Sequence, residues 1–105
     1  MNKTKYHNKK TVLDGITFDS KKEARRYSEL RLLEKCGAIS NLQLQMRFEI
    51  LPKDILGQAL YYVADFVYLD NGEQIVEDTK GVKTPVYKIK RRMMYKVYGI
   101  KIKEI

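Results

Sequence analysis

The stretch Gln58 to Lys80, QALYYVADFVYL followed by DNGE and QIVEDTK, decides the fold. Two runs rich in aromatic and β-branched residues flank Asn71-Gly72, and Asn-Gly in that setting is the strongest short-range signal of a β-hairpin, because both residues accept the positive φ of a two-residue loop. With that loop Asp70 pairs with Glu73, opposed residues keep a constant sum of numbers, and Asp65 falls opposite Asp78. Opposed side chains share a face with Cβ atoms about 5 Å apart, and like charges placed so are destabilising unless something compensates. Lys80 is expected on that same face with Val63, Val67 and Val76, while Glu77 and Thr79 point to the other side, Glu77 as a structural or exposed residue. Asp65 interrupts an apolar run, where a charge without a task is costly. Two carboxylates and an ammonium suit hydrolysis of a phosphodiester: hard oxygens hold Mg²⁺, and a nearby Lys orients or activates a water. The alternative is a surface hairpin whose acids are solvated or paired with neighbouring Lys.

Outward from this hairpin the elements follow from period and punctuation. Upstream, LQLQMRFEIL from Leu42 alternates apolar and polar residues until Pro52, the mark of a half-buried strand. Before it, Ser20 and Glu23 form a capping box in sequence, and a helix is expected over Lys21 to Cys36, ending before Gly37. Asp14-Gly15 between two short apolar pairs predicts a small hairpin ahead of that helix. Downstream, Thr84 caps a second helix with Pro85 at its first position, and Val86, Ile89, Met93 and Val97 recur at helical spacing as its expected buried stripe, until Gly99. Ile100 to Ile105 alternates again as a closing strand. The order is hairpin, helix, three strands, helix, strand, an α/β chain with a mixed β-sheet.

Composition bounds the chemistry. The chain has 105 residues and a formal net charge of +8, enough for one domain over 11–105. Met1 to Lys10 reads as a flexible basic arm, lying along phosphates or simply solvated. The excess of positive charge suggests a polyanionic partner, most often nucleic acid. One cysteine, Cys36, and one histidine, His7, exclude an internal disulfide and a Cys/His zinc site, so a metal must sit on oxygen. No apolar run approaches a membrane span and Met1 to Lys10 has no signal-peptide core, so a cytoplasmic setting without membrane contact is expected. The absence of a GxxxxGK[ST] loop argues against a nucleotide cofactor.

Asp65, then Asp78-Thr79-Lys80 closing a hairpin, resembles the PD-(D/E)XK nuclease superfamily, over about Ser20 to Ile105. Ala64 stands where the motif's proline would be. The stretches FDSKKEARRYSELRLLE, ADFVY and EDTKG are similar to a family of small phage-encoded proteins of this fold, and to phage endonucleases that resolve branched DNA. The resemblance implies a restriction-endonuclease-like core of helix, three strands, helix and strand, and a Mg²⁺-dependent endonuclease, with Mn²⁺ as a substitute. It implies Asp65 and Asp78 as ligands, the Thr79 carbonyl as a third, and Lys80 serving the nucleophile. It also implies a homodimer acting on DNA such as four-way junctions. Glu23 matches a glutamate that the superfamily often supplies from its first helix; it also suits the capping box with Ser20.

Candidate phosphate contacts are Lys21, Lys22, Arg25 and Arg26 on the first helix and Lys88, Arg91 and Arg92 on the second. Lys90, near the expected buried stripe, either reaches toward the site or snorkels from the core. The tyrosines are read mainly as packing. A DNA-binding or regulatory protein that no longer cuts, or a nuclease subunit active only within a recombination or packaging complex, are the rival readings.

Overall fold

The computed structural model describes residues 10–105, so all of the basic arm but Lys10 lies outside the described residues. The chain runs β1 (Thr11–Leu13), β2 (Ile16–Phe18), α1 (Lys21–Lys35), β3 (Ser40–Leu51), β4 (Leu60–Asp70), β5 (Glu73–Asp78), α2 (Pro85–Tyr98) and β6 (Lys103–Glu104), the order expected from the sequence. Strands β3 to β6 form one sheet in that spatial order, antiparallel except that β6 runs parallel to β5 after the α2 crossover. Asp14 and Gly15, like Asn71 and Gly72, take positive φ, so both short hairpins turn where the sequence places them. The closing strand keeps only Lys103 and Glu104 of the expected Ile100–Ile105: the Ile100 N–H still serves the end of α2, donating to the Met94 carbonyl at 3.3 Å, and β5, which pairs Glu77 with Lys103 and Asp78 with Glu104, ends at Asp78.

Each helix covers one face of the sheet. Ala24, Tyr27 and Leu30 of α1 pack with Phe18, Ile39, Phe66 and Tyr68. Tyr87 and Met94 of α2 pack with Phe48, Ile50, Tyr62, Ala64, Val67 and Val76. The two sets expose a feature that alternation conceals. In β3, Leu44 belongs to the α1 layer and Met46 to the α2 layer; in the neighbouring β4, Phe66 and Ala64 divide in the same way. Both strands therefore exchange faces across the Gln45 and Asp65 position. Gln45 has φ of 54°, and a left-handed residue inside a strand turns the residues that follow onto the other face. Val63, expected beside Val67, is accordingly on the opposite face and partly exposed.

The buried stripe of α2 also differs from the expected one. Val86, Ile89 and Val97 are 61%, 61% and 51% exposed, while Tyr87 and Met94 are buried. The helix is turned by about one residue, roughly 100°. Tyr87 decides the rotation: it is the largest side chain of the first turn, and its hydroxyl donates to Glu104 Oε2 at 2.6 Å, so its ring can be buried with its polar end satisfied.

α1 is fixed to the sheet by an ion pair. Glu77 is fully buried and accepts from Arg26 Nε at 2.8 Å and Nη2 at 2.6 Å, a forked contact completed by the Tyr68 hydroxyl. Glu77 is thus structural and not exposed. Because removal of one partner strands a buried charge, Arg26→Ala is expected to lower the unfolding free energy by about 3–5 kcal/mol. Urea denaturation reads this directly, and adding Glu77→Gln to that variant should recover part of the loss. A change under about 1 kcal/mol, the scale of an exposed pair, would deny Arg26 this anchoring role.

Candidate active site

Three elements meet at the end of β5. The hairpin register pairs Phe66 with Glu77, so the next opposed residues are Asp65 and Asp78. Ser20 caps α1 by accepting from the Glu23 backbone N–H at 3.1 Å, and this first turn brings the Glu23 side chain to the same place. Asp65, at the exchange of faces, is accessible to side chains from both layers. Its Oδ2 accepts from the Thr79 backbone N–H at 2.9 Å and from Thr79 Oγ1 at 2.8 Å, and its Oδ1 accepts from Gln45 Nε2 at 3.3 Å. The same amide donates to Glu23 Oε2 at 3.2 Å, so Gln45 ties the two acids together. Thr79, expected on the far side, thus holds Asp65 by its hydroxyl and its N–H.

Asp78 is completely buried. Its Oδ2 accepts from the Tyr62 hydroxyl at 2.6 Å, whereas Oδ1 has no hydrogen-bond partner, and Lys80 Nζ stands 3.8 Å from it. A buried carboxylate oxygen without a donor is costly, and a cation is the group that would satisfy it. Glu23, Asp65, Thr79, Lys80 and Lys22 line a cleft of about 500 Å³.

The crowding of acids appears in their proton affinities. Burial pushes the Glu23 carboxyl up from 4.5 to about 7, helped by the Asp65 charge. Burial likewise raises Asp78 from 3.8 to about 6; the Tyr62 hydrogen bond opposes this, and repulsion from Asp65 adds to it. Among the described residues no group of three or more His, Cys, Asp or Glu is arranged to hold a metal ion. Mg²⁺ asks for less, since it retains several waters and takes one or two carboxylates. Asp78 Oδ1 and Asp65 fit that requirement and could hold it, with the Thr79 carbonyl nearby in the chain.

The candidate phosphate contacts divide. Lys21, Lys22 and Arg25 are exposed on α1, with Lys22 at the cleft. Arg26 is committed to Glu77 and Glu29, so the basic run at the start of α1 contains one internal anchor. On α2, Lys88 and Arg92 are exposed, Arg91 is paired with Glu104 at 2.7 Å, and Lys90 is half-buried and outside the cleft lining. Gln45, Tyr62 and the Thr79 hydroxyl escaped sequence reasoning. The position of Gln45 opposite Asp65 was obtainable from the β3–β4 register, but no tight-turn signal fixed that register.

Both raised acids give stability that is complete below their ordinary pKa values and is lost as pH rises through about 6 for Asp78 and about 7 for Glu23. Thermal melts in chelator should therefore fall between pH 5 and pH 8, on the order of several degrees for 1 kcal/mol in a chain of this size. Glu23→Gln should flatten the upper part of that decline. A variant that declines as steeply as the parent would place the proton uptake elsewhere.

No helix among the described residues is long and apolar enough to cross a membrane. Neither a curated protein nor a solved structure matches the chain at a significant level. Residues 3–104 match a family described as a protein of unknown function, DUF1064. With nearly the whole length matched, the chain belongs to the DUF1064 family.

Proposed function

We propose that the chain is a metal-dependent DNA endonuclease of the PD-(D/E)XK type. The observation that carries this reading is Asp78 Oδ1, an oxygen buried without a donor directly behind Asp65 and Lys80, which line an open cleft. A surface hairpin with solvated acids would leave no such atom. Mg²⁺, or Mn²⁺ in its place, would supply an activated water and a counter-charge for a phosphate oxygen. The chain's own groups do the rest. Thr79 and Gln45 fix the orientation of Asp65, Tyr62 fixes Asp78, and Lys80 places a positive charge where a phosphate and its attacking water would lie. Glu23, protonated below about pH 7, can exchange a proton with water in the cleft. Lys21, Lys22, Arg25, Lys88 and Arg92 supply phosphate contacts. A branched DNA substrate, a homodimer and a phage recombination setting belong to this proposal through resemblance of the sequence.

A second reading, a DNA-binding protein that does not cut, draws on one observation: both oxygens of Asp65 are already occupied by Thr79 and Gln45. Cleavage tests separate the two. Linear duplex, single strand, flap and four-way junction, each with and without Mg²⁺, should show metal-dependent cutting of at least one substrate. Asp78→Asn should abolish it, while Lys80→Ala should keep Mg²⁺ binding and lower turnover by about 10²-fold or more. Intact DNA in every lane, with DNA retained in a mobility shift, would overturn the reading of a chain that cuts on its own.

A further inference from the structure

On the β6 side of α2 lies a groove of about 740 Å³, separate in its lining from the cleft that holds Asp65. Its rim carries Lys88, Arg92 and Lys101, all exposed and without an ion pair among the described residues. Lys88 and Arg92 stand one helical turn apart, about 6 Å along the axis. Between the charges the lining is apolar: Tyr95 is 62% exposed, Ile89 is 61% exposed, and Ile102 forms part of the wall. Cations alone would suit any polyanion. An exposed aromatic and an exposed aliphatic side chain set among them suit a polyanion that also offers flat apolar faces.

Duplex DNA hides the faces of its bases in the stack, whereas a single strand presents them to aromatic side chains while its phosphates lie on basic residues. The groove begins one helical turn from the cleft, since Thr84 lines the cleft and Lys88, whose N–H donates to the Thr84 carbonyl at 3.0 Å, lines the groove. The Tyr87 ring has Lys80 Nζ 5.8 Å from its centroid and the Arg91 guanidinium 5.6 Å from it. Lys80 lines the cleft and Arg91 the groove, so the buried Tyr87 ring stands between a cation of each without lining either.

Resting on the nuclease reading, we infer that this groove holds a single-stranded segment of the DNA substrate, with phosphates on Lys88, Arg92 and Lys101 and a base stacked on Tyr95. The preferred substrates are then those carrying an unpaired strand next to the scissile bond.

The test is equilibrium binding of the full chain, in chelator so that nothing is cut, to a fluorescent 12-mer of thymidine and to a blunt 12-base-pair duplex. The thymidine strand should bind more tightly than the duplex. Tyr95→Ala should weaken strand binding by roughly 5- to 150-fold and leave duplex binding unchanged, and Tyr95→Phe should restore the strand affinity. Lys101→Glu should reduce the salt dependence of strand binding by about 0.7 in the log–log slope. Circular dichroism on each variant confirms a native fold. Equal affinity for the two probes, binding of neither, or strand affinity indifferent to Tyr95→Ala overturns the assignment. These measurements need no divalent ion, so they can fail while metal-dependent cleavage stands, and cleavage can fail while strand selectivity stands.

Discussion

A fully buried carboxylate, Glu77, organises the molecule around itself. Arg26 reaches it from α1 with two parallel hydrogen bonds, Tyr68 adds a third from β4, and Lys103 approaches to 3.9 Å from β6. Three elements are thereby referred to one residue of β5. Such a pair contributes little net stability over a well-packed apolar substitute, because removing both charges from water is itself costly. What it supplies is position. The apolar contacts of Ala24, Tyr27 and Leu30 allow α1 to slide, whereas a forked guanidinium contact admits one rotation and one height. One turn back along α1 from Arg26 stands Glu23, whose place in the cleft is set by that anchor.

Alternation along β5 then separates structure from chemistry with a single peptide bond. Glu77 turns toward α1 and its arginine; Asp78 turns toward the α2 layer and Tyr62. The first acid has its charge met by a permanent cation. The second has one oxygen met by a hydroxyl and the other by nothing but the Lys80 ammonium 3.8 Å away. Identical charge in equal burial therefore gives a settled group at 77 and an unsettled one at 78, and the unsettled group is the one that gains from a ligand.

The sequence was legible wherever the deciding interaction is local. Asn71-Gly72 sets a register that continues to Asp65 and Asp78, Ser20 and Thr84 cap the helices through bonds three residues long, and Gly99 ends α2 in a left-handed conformation. Legibility ended where the partner is distant. Arg26 reads as one more member of a basic run, and its acid is 51 residues away. In α2, Val86-Ile89-Met93-Val97 and Tyr87-Met94 are adjacent stripes of the same period, and periodicity cannot choose between neighbours. In β3, Leu42, Leu44, Met46, Phe48 and Ile50 alternate without interruption, so nothing in the pattern records that the strand changes face at Gln45.

That change of face gives the molecule two cores on opposite sides of one sheet, with little apolar continuity between them except the strands themselves. The cleft lies along their seam: Glu23 comes with the α1 core, Tyr62 and Asp78 with the α2 core, and Gln45 and Asp65 sit on the line where one gives way to the other. A seam exists only while both sides are closed. Partial unfolding of either core, which proteins undergo at less cost than global unfolding, would scatter the constellation without dissolving the sheet. Assembly of the site is in that sense a coincidence detector for the integrity of the whole chain, and a half-folded molecule would carry the acids without their geometry.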